Sequence, residues 1–232
     1  MSRSAWCVGV VFLVLFVGAA RLRGAESTSS EKWDKAIHEF EAADKQSPPA
    51  PGSVLFIGAS SIRLWSSLAQ DFSDYSVIRR GFGGSQIIDS ANFADRIVIP
   101  YKPSAIILHA GGNDIAAGKS PEEAFADYRK FVDNVRAALP ETPIAFLSVN
   151  PTPARWGQAD KQRELNRLVK EYAASHKGLG FIDIWDALLD ADGQPRPELH
   201  IPDRLHPNAE GYKIRAKFIH KYLESQHIPK KN

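Results

Sequence analysis

The regular alternation of short apolar runs with amphipathic helical stretches constrains this chain more than any other feature. Residues 54–57 form a continuous apolar run, as a strand buried on both faces of a parallel sheet requires. Similar runs recur at residues 76–78, 105–108, 144–147 and 181–184, with helical spacing between them. The clearest helix starts at Ser120, where Pro121 suits the first helical position and Glu123 completes a capping box. Phe125, Tyr128, Val132, Val135 and Leu139 then share one stripe. Leu165, Leu168, Val169 and Tyr172 mark another helix, and Tyr212, Ala216, Ile219 and Leu223 the last. Strand runs alternating with helices in this way predict an α/β protein, a three-layer α/β/α sandwich around a five-stranded parallel sheet.

The 232 residues suffice for one such domain with an appendage. Arg3 precedes an uncharged run over residues 6–20 that closes on Gly18, Ala19 and Ala20, the layout of a secretory signal peptide cleaved after Ala20 or Ala25. The run is shorter than the roughly 20 residues of a spanning helix. No stable membrane span is therefore expected once the signal is removed, an uncleaved anchor being the alternative. Residues 26–52 read as a Ser-rich tether and an amphipathic helix carrying Trp33, Ile37, Phe40 and Ala43, broken by Pro48, Pro49 and Pro51. The domain proper is expected over residues 53–225, with a tail at 226–232. Lys+Arg 29 against Asp+Glu 27 leaves a formal charge of +2, far from the basic surface that nucleic-acid binding needs. The lone Cys7 excludes an intramolecular disulfide framework and a cysteine-ligated zinc cluster. Cleavage after Ala25 removes Cys7 with Arg3, Arg21 and Arg23, leaving a near-neutral protein suited to an oxidising periplasmic or extracellular compartment.

In a sheet of this kind the working site forms beyond the carboxyl ends of the strands. The first three runs are followed by Gly58-Ala59-Ser60-Ser61, Gly81-Phe82-Gly83-Gly84 and Gly111-Gly112-Asn113-Asp114, all small, polar and tightly turning. Near the C-terminus lies Asp203-Arg204-Leu205-His206-Pro207, and Pro207 biases His206 towards an extended loop conformation. Each segment alone is an ordinary turn; together they contain the parts of an acyl-transfer site. Ser60 is the candidate nucleophile, His206 the base and Asp203 the carboxylate that fixes the tautomer of His206. The Ser60 and Gly84 N–H groups and the Asn113 amide are the candidate oxyanion donors. His200 is a rival base near Asp203, but it sits in a Pro-flanked stretch. His109 is expected to end the third strand as a packed residue.

These segments resemble the SGNH, or GDSL-type, hydrolases, in the branch similar to platelet-activating-factor acetylhydrolase catalytic subunits. The resemblance runs from about Val54 to Leu223 and implies a flavodoxin-like fold with no metal or cofactor. It assigns Ser60 as nucleophile, Asp203 and His206 as its partners, and Gly84 and Asn113 as oxyanion donors. Ala59 and Ser85 stand where the family often has Asp, which bears on substrate rather than on the triad. At the rim, within residues 150–156, Arg155 is a candidate contact for an anionic or carbonyl group. Trp156 beside it is a candidate stacking surface for a sugar, or else the anchor of a Pro-rich loop. With no long insertion to act as a lid, the expected activity is removal of small acyl groups, acetyl above all, from carbohydrate or other small esters. A lysophospholipase- or thioesterase-like hydrolase and a catalytically silent carbohydrate-binding protein are the alternatives. A nucleotide-binding reading is disfavoured, since Gln86 stands where the dinucleotide fingerprint needs Gly and there is no Gly-Lys-Ser/Thr loop.

Overall fold

A computed structural model describes residues 29–231. The expected signal segment, residues 1–25, lies outside the described residues. In chain order the elements are α1 (Ser29–Gln46), β1 (Val54–Gly58), α2 (Ser60–Arg63), α3 (Leu68–Asp71), β2 (Val77–Gly81), α4 (Ile87–Asn92), α5 (Ala94–Ile97), β3 (Ala105–His109), α6 (Gly112–Ala116), α7 (Pro121–Ala138), β4 (Ile144–Leu147), α8 (Ala159–Ala174), β5 (Leu179–Ile182) and α9 (Ala209–Ser225). The sheet is parallel throughout, in the order β2-β1-β3-β4-β5. This is the flavodoxin-like order, in which the chain changes direction across the sheet between β1 and β3.

The pleat divides the core into two layers. On one face Leu55, Ile57, Ile106, Leu108, Ile144 and Phe146 pack against α4, α5, α7 and α8, joined by Ile37 of α1. On the other, Val54, Phe56, Ala105, Ile107, Ala145 and Leu147 meet Trp65, Phe72 and the Tyr212, Ile219 and Leu223 stripe of α9. The central strands β1, β3 and β4 are buried along their whole length, as their uninterrupted apolar runs predict. The edge strands depart from that template. β2 runs on through Arg79 and Arg80, and β5 covers Leu179–Ile182 rather than the expected 181–184. With β4 on one side only, β5 is set by register: Ile144 pairs with Leu179 and Leu147 with Ile182. Beyond Ile182 the ladder ends in a side-chain bond, the Ile184 N–H donating to Ser148 Oγ at 3.1 Å.

Helix α7 begins as its capping box predicts, with the Glu123 N–H donating to Ser120 Oγ at 3.1 Å and the Ser120 N–H to Glu123 Oε2 at 2.8 Å. Helix α1 docks onto the domain. Ile37 is fully buried, and the rings of Trp33 and Phe82 meet edge to face, with centroids 5.6 Å apart. Ion pairs hold the same face: Arg96 with Asp34 at 2.8 Å and with Glu41 at 2.7 Å, and Arg80 with Asp44 at 2.6 Å. Among the described residues no helix is long and apolar enough to cross a membrane.

Candidate active site

The switch between β1 and β3 puts the turns after those strands side by side. Gly58, at the end of β1, has φ +144°, and a Cβ there would lie 2.0 Å from the His109 carbonyl oxygen. Only glycine lets the two strand ends come this close. The Ala59 N–H donates to that same carbonyl at 3.2 Å, and the chain turns at once into α2, with Ser60 as its first residue. Ser60 therefore stands at the carboxyl edge of the sheet, where the switch in strand order opens a crevice.

The loop before α9 supplies the groups opposite. His206 Nε2 lies 2.8 Å from Ser60 Oγ, and His206 Nδ1 lies 2.6 Å from Asp203 Oδ2. The Asp203 carboxylate also builds its own loop, its Oδ1 accepting the Leu205 and His206 N–H groups, each at 2.9 Å. Arg204 takes the left-handed conformation, φ +58°, so that the turn can close. Burial works against the charge on Asp203. The hydrogen bonds from the His206 ring and from the His206 and Leu205 amides together outweigh it and hold the carboxyl at about 2. An ionised carboxylate can only accept, so it draws the imidazole proton to Nδ1 and leaves Nε2 free to accept from Ser60 Oγ–H. The arrangement can withdraw a proton from Ser60 as the hydroxyl attacks.

Asn113, in the first turn of α6, faces Ser60 from the end of β3. Its Nδ2 donates to the Ser85 carbonyl at 2.9 Å, and its Oδ1 accepts from Arg155 Nη2 at 3.0 Å. These two bonds fix which way the amide points and leave its second N–H for the cleft. Gly84 has φ +82° and lines the cleft with Gly83, while Trp33 of α1 packs behind it, 3.6 Å from where a Cβ would stand. A neighbouring carboxylate anchors the same turn: Asp114, fully buried, accepts from the Ile87 N–H at 3.1 Å and so caps α4 from outside. Burial pushes the Asp114 carboxyl up to about 6, against the pull of the Ile87 bond and of Lys119.

The cleft has a narrow part and a wider, more open part. A hollow of about 50 Å³ adjoins Ser60 and His206 and is lined on its far side by Ala110, Val149, Thr152 and Gln162. An open basin of about 410 Å³ adds Arg63, Gly83 and Gly84. Arg155 borders both. It is half-buried, and burial with no carboxylate to offset it pushes its pKa down. Trp156 leans on Trp185, with ring centroids 6.4 Å apart and planes at 33°, and is not among the residues lining either part. His109 is buried, and its Nδ1 donates to the Leu147 carbonyl at 3.1 Å. Burial, with the Arg215 charge adding to it, holds the His109 ring down at about 4, so it stays neutral. His200 is likewise buried and donates to the Arg196 carbonyl at 3.0 Å, turned away from the cleft. Arg63 is the charged cleft residue not singled out from sequence. Its signal was its place three residues after Ser60, on the same face of α2.

The sequence pattern of the GDSL-like lipase/acylhydrolase family matches residues 57–214, the stretch that holds these turns. The chain belongs to this family. GDSL-like hydrolases of similar sequence include a rice GDSL esterase/lipase, WDL1, 26% identical over 76% of this chain and 80% of its own. Human platelet-activating factor acetylhydrolase IB subunit alpha1 is 24% identical over 83% of each chain. Among solved structures, a family 3 carbohydrate esterase from Clostridium thermocellum superposes with a TM-score of 0.61 over 76% of this chain and 96% of its own, at 16% identity. This GDSL-like protein is a hydrolase with the SGNH fold that its sequence resembles.

Proposed function

We propose that the protein is a serine ester hydrolase that works through an acyl-enzyme and removes short acyl groups, acetyl above all, from carbohydrate or other small esters. The observation that carries this reading is the hydrogen-bonded line from Asp203 through His206 to Ser60 Oγ, opening on a hollow of about 50 Å³. Ser60 Oγ attacks the ester carbonyl carbon while its proton passes to His206 Nε2. The negative charge that develops on the carbonyl oxygen is met by the Ser60 and Gly84 N–H groups and by Asn113 Nδ2. Collapse of the tetrahedral intermediate breaks the C–O bond to the alcohol, which takes the proton from His206. Water then attacks the acyl-enzyme, giving its proton to His206 and releasing the acid as Ser60 regains its own. Asp203 holds the ring in place throughout and stabilises its charged form.

The narrow hollow suits the acyl group and the wider basin the alcohol. The hollow is small beside the roughly 300 Å³ and more of a drug-sized ligand pocket, which favours an acetyl group over a long chain. The likeness of fold to a family 3 carbohydrate esterase is in keeping with a sugar as the alcohol. The signal-like residues 1–25 support export, and N-terminal sequencing of the exported protein checks it. A fluorophosphonate should label the protein at Ser60 and fail to label Ser60→Ala. In a series of p-nitrophenyl esters, acetate should be hydrolysed faster than octanoate, and the reverse order would overturn the short-acyl assignment.

A further inference from the structure

The charges around Ser60 are lopsided. None of the residues lining the hollow or the basin is acidic, whereas both Arg63 and Arg155 line the basin. Four guanidinium groups elsewhere find carboxylates, Arg80 with Asp44, Arg96 with Asp34 and Glu41, Arg167 with Glu164 and Glu171, and Arg196 with Glu198, and Arg79 and Arg136 bond backbone carbonyls instead. Arg155 makes a single hydrogen bond, to Asn113 Oδ1, and no ion pair among the described residues. Arg63 makes neither among the described residues. Its guanidinium lies over the turn after β2, with Nε 2.7 Å from where a Cβ on Gly83 would stand. Arg155 lies over the turn after β3, with Nη1 3.3 Å from where a Cβ on Gly112 would stand. Because β1 lies between β2 and β3 in the sheet, the two guanidinium groups flank the serine that follows β1.

A half-buried arginine without a counter-charge has given up hydration and gained little in return. An anion from outside would restore the balance, and guanidinium forks match the geometry of carboxylate and phosphate oxygens. Resting on the serine-hydrolase reading above, we infer that the natural substrate carries an anionic group, a carboxylate or a phosphate, on the alcohol side of the scissile ester, where Arg63 and Arg155 bind it. Arg155 then does two things at once: it fixes the Asn113 amide through Oδ1 and presents its remaining N–H groups to the bound anion. A neutral acetyl ester fills the same hollow but leaves both guanidinium groups unpaired.

The test uses pairs of acetyl esters of which one member carries an anionic group and the other does not. One pair is an O-acetylated methyl galacturonoside with a free carboxylate and its neutral methyl ester. The other is acetylated glycerol 3-phosphate and monoacetylglycerol. The charged member should have the higher kcat/KM, by about tenfold for one well-placed charge-assisted contact. The pair that shows the preference identifies the source of the anion, sugar acid or phosphate. Raising the ionic strength should shrink the ratio. Arg63→Gln, an exposed and structurally safe change, should bring the ratio close to one, and Arg63→Lys should restore part of it. The inference is overturned if the charged-to-neutral ratio is one or less in both pairs, or if the preference survives in Arg63→Gln. It falls too if a protein labelled at Ser60 by fluorophosphonate turns over neither charged ester. Hydrolysis of neutral esters without charge preference would leave the serine-hydrolase reading standing. Loss of both labelling and all hydrolysis would remove that reading itself.

Discussion

At the residue scale, Asp203 does two separable jobs with its two oxygens. Oδ1 accepts the Leu205 and His206 N–H groups and shapes the loop, while Oδ2 faces the imidazole Nδ1. Asp203→Asn keeps the first job if the amide oxygen takes the Oδ1 position. The second is lost, because an NH₂ group facing Nδ1 donates and forces the ring proton onto Nε2, where it blocks acceptance from Ser60. The variant should therefore keep its unfolding midpoint within a few tenths of a molar urea while kcat drops by about 10³–10⁴. A loss of stability as large as the loss of rate would show that the carboxylate shapes the loop and does nothing further. Asn113→Ala removes one of the proposed donors to the developing oxyanion, and kcat should fall by about 10²–10³ with little change in KM. The variant also deprives Arg155 of its one hydrogen-bond acceptor, so its charge preference in the paired esters reports whether Arg155 needs Asn113 to stay in place.

At the scale of elements, α1 is attached to the domain by charge as much as by apolar contact. The Arg80 side chain is 8% exposed and that of Asp44 19%, and Arg80 also lies over the rings of Phe40 and Tyr101. Asp44→Ala would strand a buried guanidinium and leave the Tyr101 hydroxyl, which donates to the same carboxylate, without its acceptor. Breaking one side of a buried pair costs about 3–5 kcal/mol, which urea unfolding would read directly. A change below about 1 kcal/mol would mean that the Arg80–Asp44 pair adds little to what Ile37, Trp33 and the Arg96 ion pairs already hold. The amphipathic spacing of Trp33, Ile37, Phe40 and Ala43 announces this helix in the sequence, but its docking partners do not show there. Arg80 and Arg96 become partners of α1 only once β2 and α5 are in place. The same limit explains the strands. β1, β3 and β4 are legible because burial on both faces demands unbroken apolar runs, whereas at the edges β2 admits Arg79 and Arg80, and β5, only partly buried, is placed by register. Ser60, Asn113, Asp203 and His206 stand out because each sits in a short turn whose residue types match one chemical part. Arg63 shows in the sequence only as the residue three places after Ser60, since its significance comes from lying over Gly83, a residue from another strand's turn.

At the scale of the whole molecule, two buried titrating groups, one ending β3 and one in α6 just after it, pull stability in opposite directions. Burial lowers the pKa of His109 from 6.5 to about 4. The unfolded chain then binds the extra proton between those values, and this contribution to stability is present above pH 6.5 and is lost as the pH falls through 4. Burial raises the pKa of Asp114 from 3.8 to about 6. Here the folded chain holds the extra proton, so stability declines as the pH rises from about 4 to about 6. Each shift corresponds to about 3 kcal/mol, and over nearly the same window the two slopes cancel. Below that window Asp203 and Glu41, both held at about 2, add a loss of stability as the pH falls further. The native protein should therefore show a nearly level stability from pH 4 to 6.5, with an acid limb beneath it. Asp114→Asn keeps an oxygen to accept the Ile87 N–H while removing the titrating group, and so exposes the His109 slope by itself. Its unfolding free energy, from urea titrations at intervals across this range, should rise with pH by about 3 kcal/mol between pH 4 and 6.5. A level profile in this variant would mean that His109 takes up a proton in the folded protein as readily as in the unfolded chain. The ring beneath the Ser60 turn would then be reached by water, against the burial that the folded protein gives it.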